Sequence, residues 1–440
     1  MKYNFMGLCL VAAVALTPAL GAPRKADGPH WAGAWGFVPT PPPPGVGPQP
    51  GASGVVPLSV PAAASPPWRP LIENPGKLDV DTAQAEFSNA TIRQIARVSA
   101  AGSAIRLRLS NESGAEPLPV GAVHVGLAGP DGVILPGSDH AVTFAGNAGV
   151  IVPAGAPLLS DAVQLPVKAL DRLAISLHLP GRVPVRGTRS LFDYVAGVSG
   201  DSTATPALPS ARIALAPAIV TGIEVAAAKP TSVVVTFGDS ITEGVGSTVN
   251  AFRGWPDLLA ERLAAGPDKG WAVVNAGISG NRLLRAGAGP NALARFDRDV
   301  LGVPGVRTVI LLEGINDIGN SFKTSGATEP VTAEALEMAA RQIIDRAHAH
   351  GIRVIGATLL PYQGAGYSSP QGEAVRQAFN SWITRSGAFD GVIDLAATVA
   401  DKANPLAFDP RFNDGDKLHP NDAGYRAMAD AIDLPLITGR

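Results

Sequence analysis

Between Thr91 and Ile223, apolar side chains recur at alternate positions in short runs. Ile92, Gln94, Ala96 and Val98 share one face, Ile105-Arg106-Leu107-Arg108-Leu109 alternates strictly, and Val123-His124-Val125 and Leu173-Ala174-Ile175-Ser176-Leu177 repeat the pattern. A period of two sends successive side chains to opposite faces, so these runs predict half-buried β-strands. Gly, Pro, Asn and Asp break them at short intervals, as in Ala101-Gly102, Asn111-Glu112-Ser113-Gly114 and Pro130-Asp131-Gly132. Short strands with frequent turns predict a β-sandwich domain, assigned to residues 76–225.

After Pro230 the period changes. Strand-like runs at Ser232–Phe237, Trp271–Ala276, Thr308–Leu312, Arg353–Ala357 and Gly391–Asp394 alternate with helical patterns. The clearest helix follows Thr332 as N-cap, carries Leu336, Ala340, Ile343 and Ala347 along one stripe, and stops at Gly351. This alternation predicts a parallel sheet with helices on both faces, an α/β domain over residues 230–440. The mostly small stretch Val225-Ala226-Ala227-Ala228-Lys229-Pro230 reads as the linker between the two domains.

The N-terminus follows neither pattern. Lys2 precedes the apolar run Leu8–Leu16, and Ala19-Leu20-Gly21 offers small residues where a signal peptidase reads, so residues 1–21 are expected to be a signal peptide. The run is too short to span a bilayer and Thr17-Pro18 interrupts it, which argues against stable membrane insertion and for a secreted or periplasmic protein. Residues 22–75 form a Pro/Gly-rich segment, with Trp31 and Trp35 at helical spacing anchoring it on a domain surface. Cys9, the only cysteine, lies inside the signal, so a mature chain has no disulfide, cysteine nucleophile or Cys-ligated metal.

Composition adds limits. At 440 residues the chain exceeds one ordinary core, and 46% hydrophobic residues supply material for two. A formal net charge of -2 leaves no basic footprint for nucleic acid.

Four short motifs carry candidate chemistry: Gly238-Asp239-Ser240, Gly280-Asn281, Gly314-Ile315-Asn316-Asp317 and Asp416-Lys417-Leu418-His419. Singly, each is an ordinary turn or helix start, with Asp239 or Ser240 as a cap and Asn421 or Asp422 opening a helix after Pro420. Jointly they follow the first three predicted strands of the α/β part and recur near the C-terminus, where open α/β sheets build their sites. A serine hydroxyl needs a base to take its proton, so Ser240 is the candidate nucleophile, His419 the base, and Asp416, three residues earlier, the group that orients the imidazole.

Residues from about Thr231 to Leu434 resemble the SGNH (GDSL-type) hydrolase family, whose four signature residues map onto Ser240, Gly280, Asn316 and His419. The usual Gly-Asp-Ser-Leu reads Gly238-Asp239-Ser240-Ile241 here. An exported β-rich region that starts with Trp31-Ala32-Gly33-Ala34-Trp35 is also similar to the arylesterase/acylhydrolase branch that includes xylanase-associated esterases. The resemblance implies a flavodoxin-like three-layer α/β/α hydrolase and an oxyanion hole made by the N–H groups of Ser240 and Gly280 and the side-chain amide of Asn316. It further implies a carboxylic ester hydrolase that uses no cofactor or metal. The expected partner is a small-molecule or polysaccharide ester, foremost a carbohydrate acetyl ester. An arylesterase, a lipase or lysophospholipase, and a carbohydrate-binding or adhesion protein with a secondary hydrolase are the alternatives.

Other features carry less. His348 and His350 end a helix, where its dipole favours them, and His124 and His178 sit in alternating β-runs. The glycines of Gly238–Gly246 lack the Lys and spacing of a P-loop. Tyr362, Gly364, Gly366 and Tyr367 form a loop after the fourth α/β strand that either shapes the pocket or is a plain structural turn.

Overall fold

The computed structural model describes residues 29–38, 84–129, 132–186, 189–208, 212–248, 250–267, 270–322 and 330–439. The expected signal peptide and the Pro-rich stretch from Pro39 to Pro70 lie outside the described residues.

The N-terminal part is built from β1 (His30–Gly36), β2 (Gln84–Arg97), β3 (Ile105–Ser110), β4 (Leu118–Val120), β5 (Ala122–Leu127), β6 (His140–Ala141), β7 (Val150–Val152), β8 (Pro157–Leu159), β9 (Arg172–Arg186), β10 (Arg189–Ser199), β11 (Arg212–Pro217) and β12 (Val220–Ala227). They form a six-stranded antiparallel sheet ordered β11-β10-β2-β9-β5-β6, a four-stranded antiparallel sheet ordered β1-β12-β3-β8, and the small pair β4-β7. The period-two pattern explains the burial: Leu107, Leu109, Leu173, Ile175 and Leu177 have no solvent exposure. Gln94 shares the inward face with Ile92 because its amide has a task there. Its Oε1 accepts the N–H groups of Ile219 and Val220, both at 3.0 Å, and so fastens the start of β12 to the six-stranded sheet.

The C-terminal part carries the five strands that the sequence predicts: β13 (Ser232–Gly238), β14 (Trp271–Gly277), β15 (Val306–Leu312), β16 (Arg353–Ala357) and β17 (Gly391–Ile393). All neighbours are parallel, in the order β14-β13-β15-β16-β17. Its α-helices are α1 (Ser240–Glu243), α2 (Trp255–Ala265), α3 (Ala292–Phe296), α4 (Ile315–Ser321), α5 (Ala333–Ala349), α6 (Pro370–Arg385), α7 (Leu395–Val399), α8 (Asp422–Asp430) and α9 (Leu434–Thr438), with a π-helical turn at Asp297–Leu301. Helix α5 starts as expected, with the Thr332 hydroxyl accepting the Ala335 N–H at 3.3 Å. Strand order reverses at β13, whose neighbours β14 and β15 lie on either side. The loops leaving these three strands therefore converge on one crevice.

Trp31 and Trp35 belong to β1, not to a helix, and pair through β12 with residues nearly two hundred positions later. A spacing of four also returns to one face of a strand, so the spacing alone does not distinguish the two. The Arg106 guanidinium stacks 4.4 Å from the Trp31 ring centroid.

The two parts share a close seam. Strand β14 is an edge of the parallel sheet, and the N-terminal part covers it. Ser99 Oγ accepts the Val273 N–H at 2.9 Å and lies 2.7 Å from Ala34 O and 2.8 Å from Val273 O, which compete for its one proton, while the Gly33 N–H donates to Pro304 O at 2.9 Å. Arg97 pairs with Glu261 at 2.8 Å and Asp257 at 3.4 Å. Phe252 packs against the cluster of Ile95, Ile134 and Ala174, with the guanidinium groups of Arg97 and Arg172 each 5.0 Å from its ring centroid.

A fragment that begins at Ala228 uncovers an unpaired strand edge together with Phe252. It is expected to aggregate on size-exclusion chromatography under conditions where the full chain runs as a discrete species.

Candidate active site

Strand β13 delivers Asp239 and Ser240. Asp239 is the N-cap of α1, its Oδ1 accepting the Ile241 N–H at 2.9 Å, so the capping role applies to the aspartate and leaves the serine in the first turn. Ser240 Oγ lies 2.8 Å from His419 Nε2. On the other side of the ring, His419 Nδ1 is 2.5 Å from Asp416 Oδ2. Asp416 is itself fixed, because its Oδ1 accepts the N–H groups of Leu418 at 2.7 Å and His419 at 2.8 Å. The loop closes around Asn413, whose Oδ1 accepts the N–H groups of Gly415 and Lys417 and whose Nδ2 donates to His419 O. Asn421 then caps α8. Asp414, the other carboxylate near by, accepts the Asp416 N–H at 3.1 Å.

The loop after β14 turns at Gly280 with φ +74°, a left-handed conformation that favours glycine. Asn281 behind it is fully buried. Its Nδ2 donates to Ala288 O and Pro290 O, both at 2.8 Å, and its backbone oxygen accepts from Asn316 Nδ2 at 3.0 Å. Asn316 comes from α4, so this bond joins the loops after β14 and β15. Asp317 adds to the joint by accepting the N–H groups of Leu283 at 2.6 Å and Leu284 at 3.0 Å. Ser240, His419 and Asp416 are thus in one hydrogen-bonded line, and the segments carrying Gly280 and Asn316 are tied to each other.

Three residues that the motifs do not name hold this arrangement. Arg295 donates to Gly238 O and Ala276 O at 2.8 Å and to Asn281 Oδ1 at 2.9 Å, with its guanidinium 4.0 Å from the Phe237 ring centroid. Its charge is met by Asp299 at 3.1 Å and Glu313 at 3.7 Å. Glu243, one turn after Ser240, accepts the Ser279 N–H at 2.7 Å and the Ser279 hydroxyl, linking the serine's helix to the Gly280 loop. Tyr367 donates its hydroxyl to Asn316 Oδ1 at 3.2 Å. The one sequence signal for Arg295 is a lone charge in the otherwise apolar Ala292-Leu293-Ala294-Arg295-Phe296.

Residues 236–427 match the family model of the GDSL-like lipase/acylhydrolase family. These residues belong to that family. The chain is a carboxylic ester hydrolase, and the match contains the Ser240, Gly280, Asn316 and His419 segments of this GDSL-like domain. A search of curated proteins returned no match. Solved structures similar to it include an acetyl xylan esterase with 25% identity, covering 45% of this chain and 96% of that one at a TM-score of 0.36. A variant of an acetyl xylan esterase from Geobacillus stearothermophilus has 22% identity, with 46% and 92% covered and a TM-score of 0.37. A GDSL-like lipase from Bacteroides thetaiotaomicron has 20% identity, with 47% and 87% covered and a TM-score of 0.34. The family assignment rests on the family model and not on these likenesses.

The floor of the GDSL-like site is rich in buried carboxyl groups. Burial lifts Glu243 to about 7 against the opposing pull of the Ser279 hydroxyl and N–H. Burial likewise lifts Asp239 and Asp317 to about 6, and it carries Glu313 well above the carboxylate range, helped by the charge of Asp239. Asp416 goes the other way: burial would raise it, but the hydrogen bond and charge of His419 and two backbone N–H groups hold it well below. An ionised Asp416 beside His419 suits an imidazole that gains charge. Asp414, Asp416 and His419 place potential ligand atoms within 4.8 Å of one another, yet Asp416 and His419 already bond each other, and His419 bonds Ser240. A metal there would compete with that line.

Three of the other histidines have their own partners. His348 Nε2 meets Asp390 Oδ2 at 2.8 Å, His124 Nδ1 meets Asp139 Oδ2 at 2.8 Å, and His178 Nε2 meets Asn89 Oδ1 at 3.0 Å.

The raised carboxyl groups set a sign for stability. Between the ordinary 4.5 of a glutamate and about 7, Glu243 binds more protons folded than unfolded, so its contribution falls as pH rises through that window. The melting temperature is expected to fall from pH ~5 to ~7.5, with the upper part of that slope flattened in Glu243→Gln. An unchanged slope in the variant assigns it elsewhere. Arg295→Met removes the donor to Gly238 O, Ala276 O and Asn281 Oδ1 and the cation beside Glu313, while Asp299 keeps Arg298, and a loss of about 3–5 kcal/mol is expected in urea unfolding.

Proposed function

We propose that the protein is an exported serine esterase that cleaves carboxylic esters through an acyl-enzyme on Ser240, with short-chain carbohydrate esters, acetyl foremost, as substrates. The observation that carries this reading is the line from Ser240 Oγ through the His419 ring to Asp416, at 2.8 Å and 2.5 Å. Export follows from the N-terminal signal pattern, and the carbohydrate preference from the resemblance to xylanase-associated esterases. The antiparallel sheets before the hydrolase are read as a β-sandwich domain that controls access of large substrates.

In the acylation step His419 Nε2 takes the Ser240 hydroxyl proton as Oγ bonds to the ester carbon. Asp416 holds the ring and stabilises the imidazolium. The N–H groups of Ser240 and Gly280 and the Asn316 amide meet the negative carbonyl oxygen. Collapse breaks the carbon–oxygen bond to the alcohol, which leaves with the proton from His419. A water molecule then repeats the cycle: His419 takes its proton, the hydroxide adds to the acyl carbon, and Ser240 departs protonated.

Ser240→Ala is expected to abolish hydrolysis without changing the fold, and a fluorophosphonate should label Ser240 in the wild type. Asn316→Ala should lower kcat roughly a hundredfold to a thousandfold. A panel of p-nitrophenyl esters of increasing chain length beside acetylated xylan and pectin should show a preference for acetyl. Preference for long chains would support a lipase, and binding to insoluble polysaccharide without turnover would support a carbohydrate-binding protein.

A further inference from the structure

The hydroxyl of Tyr367 and the amide of Asn316 form a pair whose geometry constrains the site. A primary amide can be flipped, exchanging its oxygen and its NH2. Here the Asn281 carbonyl selects the orientation and the Tyr367 hydroxyl anchors the oxygen end. Asn316 Nδ2 donates to Asn281 O at 3.0 Å, and Asn316 Oδ1 accepts from Tyr367 Oη at 3.2 Å. Flipping would set two carbonyl oxygens against each other at Asn281. With one Nδ2 proton committed to Asn281, the other is left for a ligand.

Tyr367 is held where this requires it. Its ring lies on the backbone of α4 at Gly319, where any side chain would collide with ring carbons Cδ2 and Cε2. Tyr362 packs against it at 6.0 Å between centroids. The loop is secured by Gln363 N–H to Leu406 O at 3.2 Å, Ala365 N–H to Tyr362 O at 3.0 Å and Gly364 N–H to Ser368 Oγ at 3.0 Å. Burial and the nearby Asp239 charge keep the phenol protonated, so it remains a donor.

We infer that Tyr367 is a positioning residue for ester hydrolysis, fixing the plane of the Asn316 amide so that its second N–H is presented to the oxyanion. This rests on the serine esterase reading above. Without the hydroxyl, Oδ1 loses its donor and the amide plane keeps only its Asn281 anchor, so the loss appears where negative charge develops and not in substrate binding.

The test is a double-mutant cycle on p-nitrophenyl acetate, joined by the affinity of a boronic acid that mimics the tetrahedral adduct. Tyr367→Phe is expected to lower kcat roughly tenfold with KM within about twofold, and to weaken the boronic acid in parallel. In an Asn316→Ala background the same change should cost almost nothing. Gly319→Ala, which pushes the ring off α4, should reproduce the loss in the wild type and not in Asn316→Ala. Equal losses in both backgrounds, or a change confined to KM or to the melting temperature, would overturn the inference. If neither Ser240→Ala nor Asn316→Ala lowers kcat, the esterase reading itself fails, a result distinct from additive Tyr367 losses in an enzyme that depends on both.

Discussion

A guanidinium without access to water sits beneath Ser240. Arg295 binds the backbone oxygens at the C-terminal ends of two adjacent parallel strands, Gly238 on β13 and Ala276 on β14, and the side-chain oxygen of Asn281 in the loop that follows. Strand ends are where a sheet frays, and at this one Gly238 O accepts the Ile278 N–H at 3.0 Å besides the guanidinium. One planar cation satisfies several such groups at once, which a lysine point charge could not match in geometry. The serine turn and the Gly280 loop both start from these anchored ends, so their separation is set below the site.

Rigidity continues upward through short bonds between loops. Asn316 reaches the Asn281 oxygen, Asp317 takes two N–H groups of the 282–284 segment, and Glu243 reaches Ser279. Each tie joins segments far apart in sequence and neighbouring in space, the arrangement expected where strand order reverses. The cost is a set of desolvated carboxyl groups. Asp239 Oδ2 and Glu313 Oε2 are buried and have no hydrogen-bond partner among the described residues, and their mutual repulsion favours the protonated form of Glu313.

The sequence was most legible where local pattern and fold agree. All five parallel strands followed from apolar runs, and the closeness of Ser240, His419 and Asp416 agrees with the chemistry a serine nucleophile would need. Legibility failed where long-range packing decides. Arg295 looks like an ordinary helical arginine until the carbonyls around it are placed. Trp31 and Trp35 fit a helix or a strand equally, and only pairing with β12 settles the matter. Gln94 was read on an apolar face without a reason, which the open N–H groups of Ile219 and Val220 supply. Tyr367 stood in a loop whose role the residues left open, and its bond to Asn316 becomes visible only once α4 and that loop meet.

The Ser99 hydroxyl takes the Val273 N–H on the outer side of β14 and shares its proton between the Val273 and Ala34 oxygens. The five-stranded sheet is therefore polarised as a surface for strand addition. A peptide or second subunit seeking to extend it meets at β14 a strand that β1 packs against and whose Val273 is already engaged, whereas the opposite margin, β17, spans only Gly391–Ile393 and offers a very short template. Neither margin of this sheet favours growth by edge pairing.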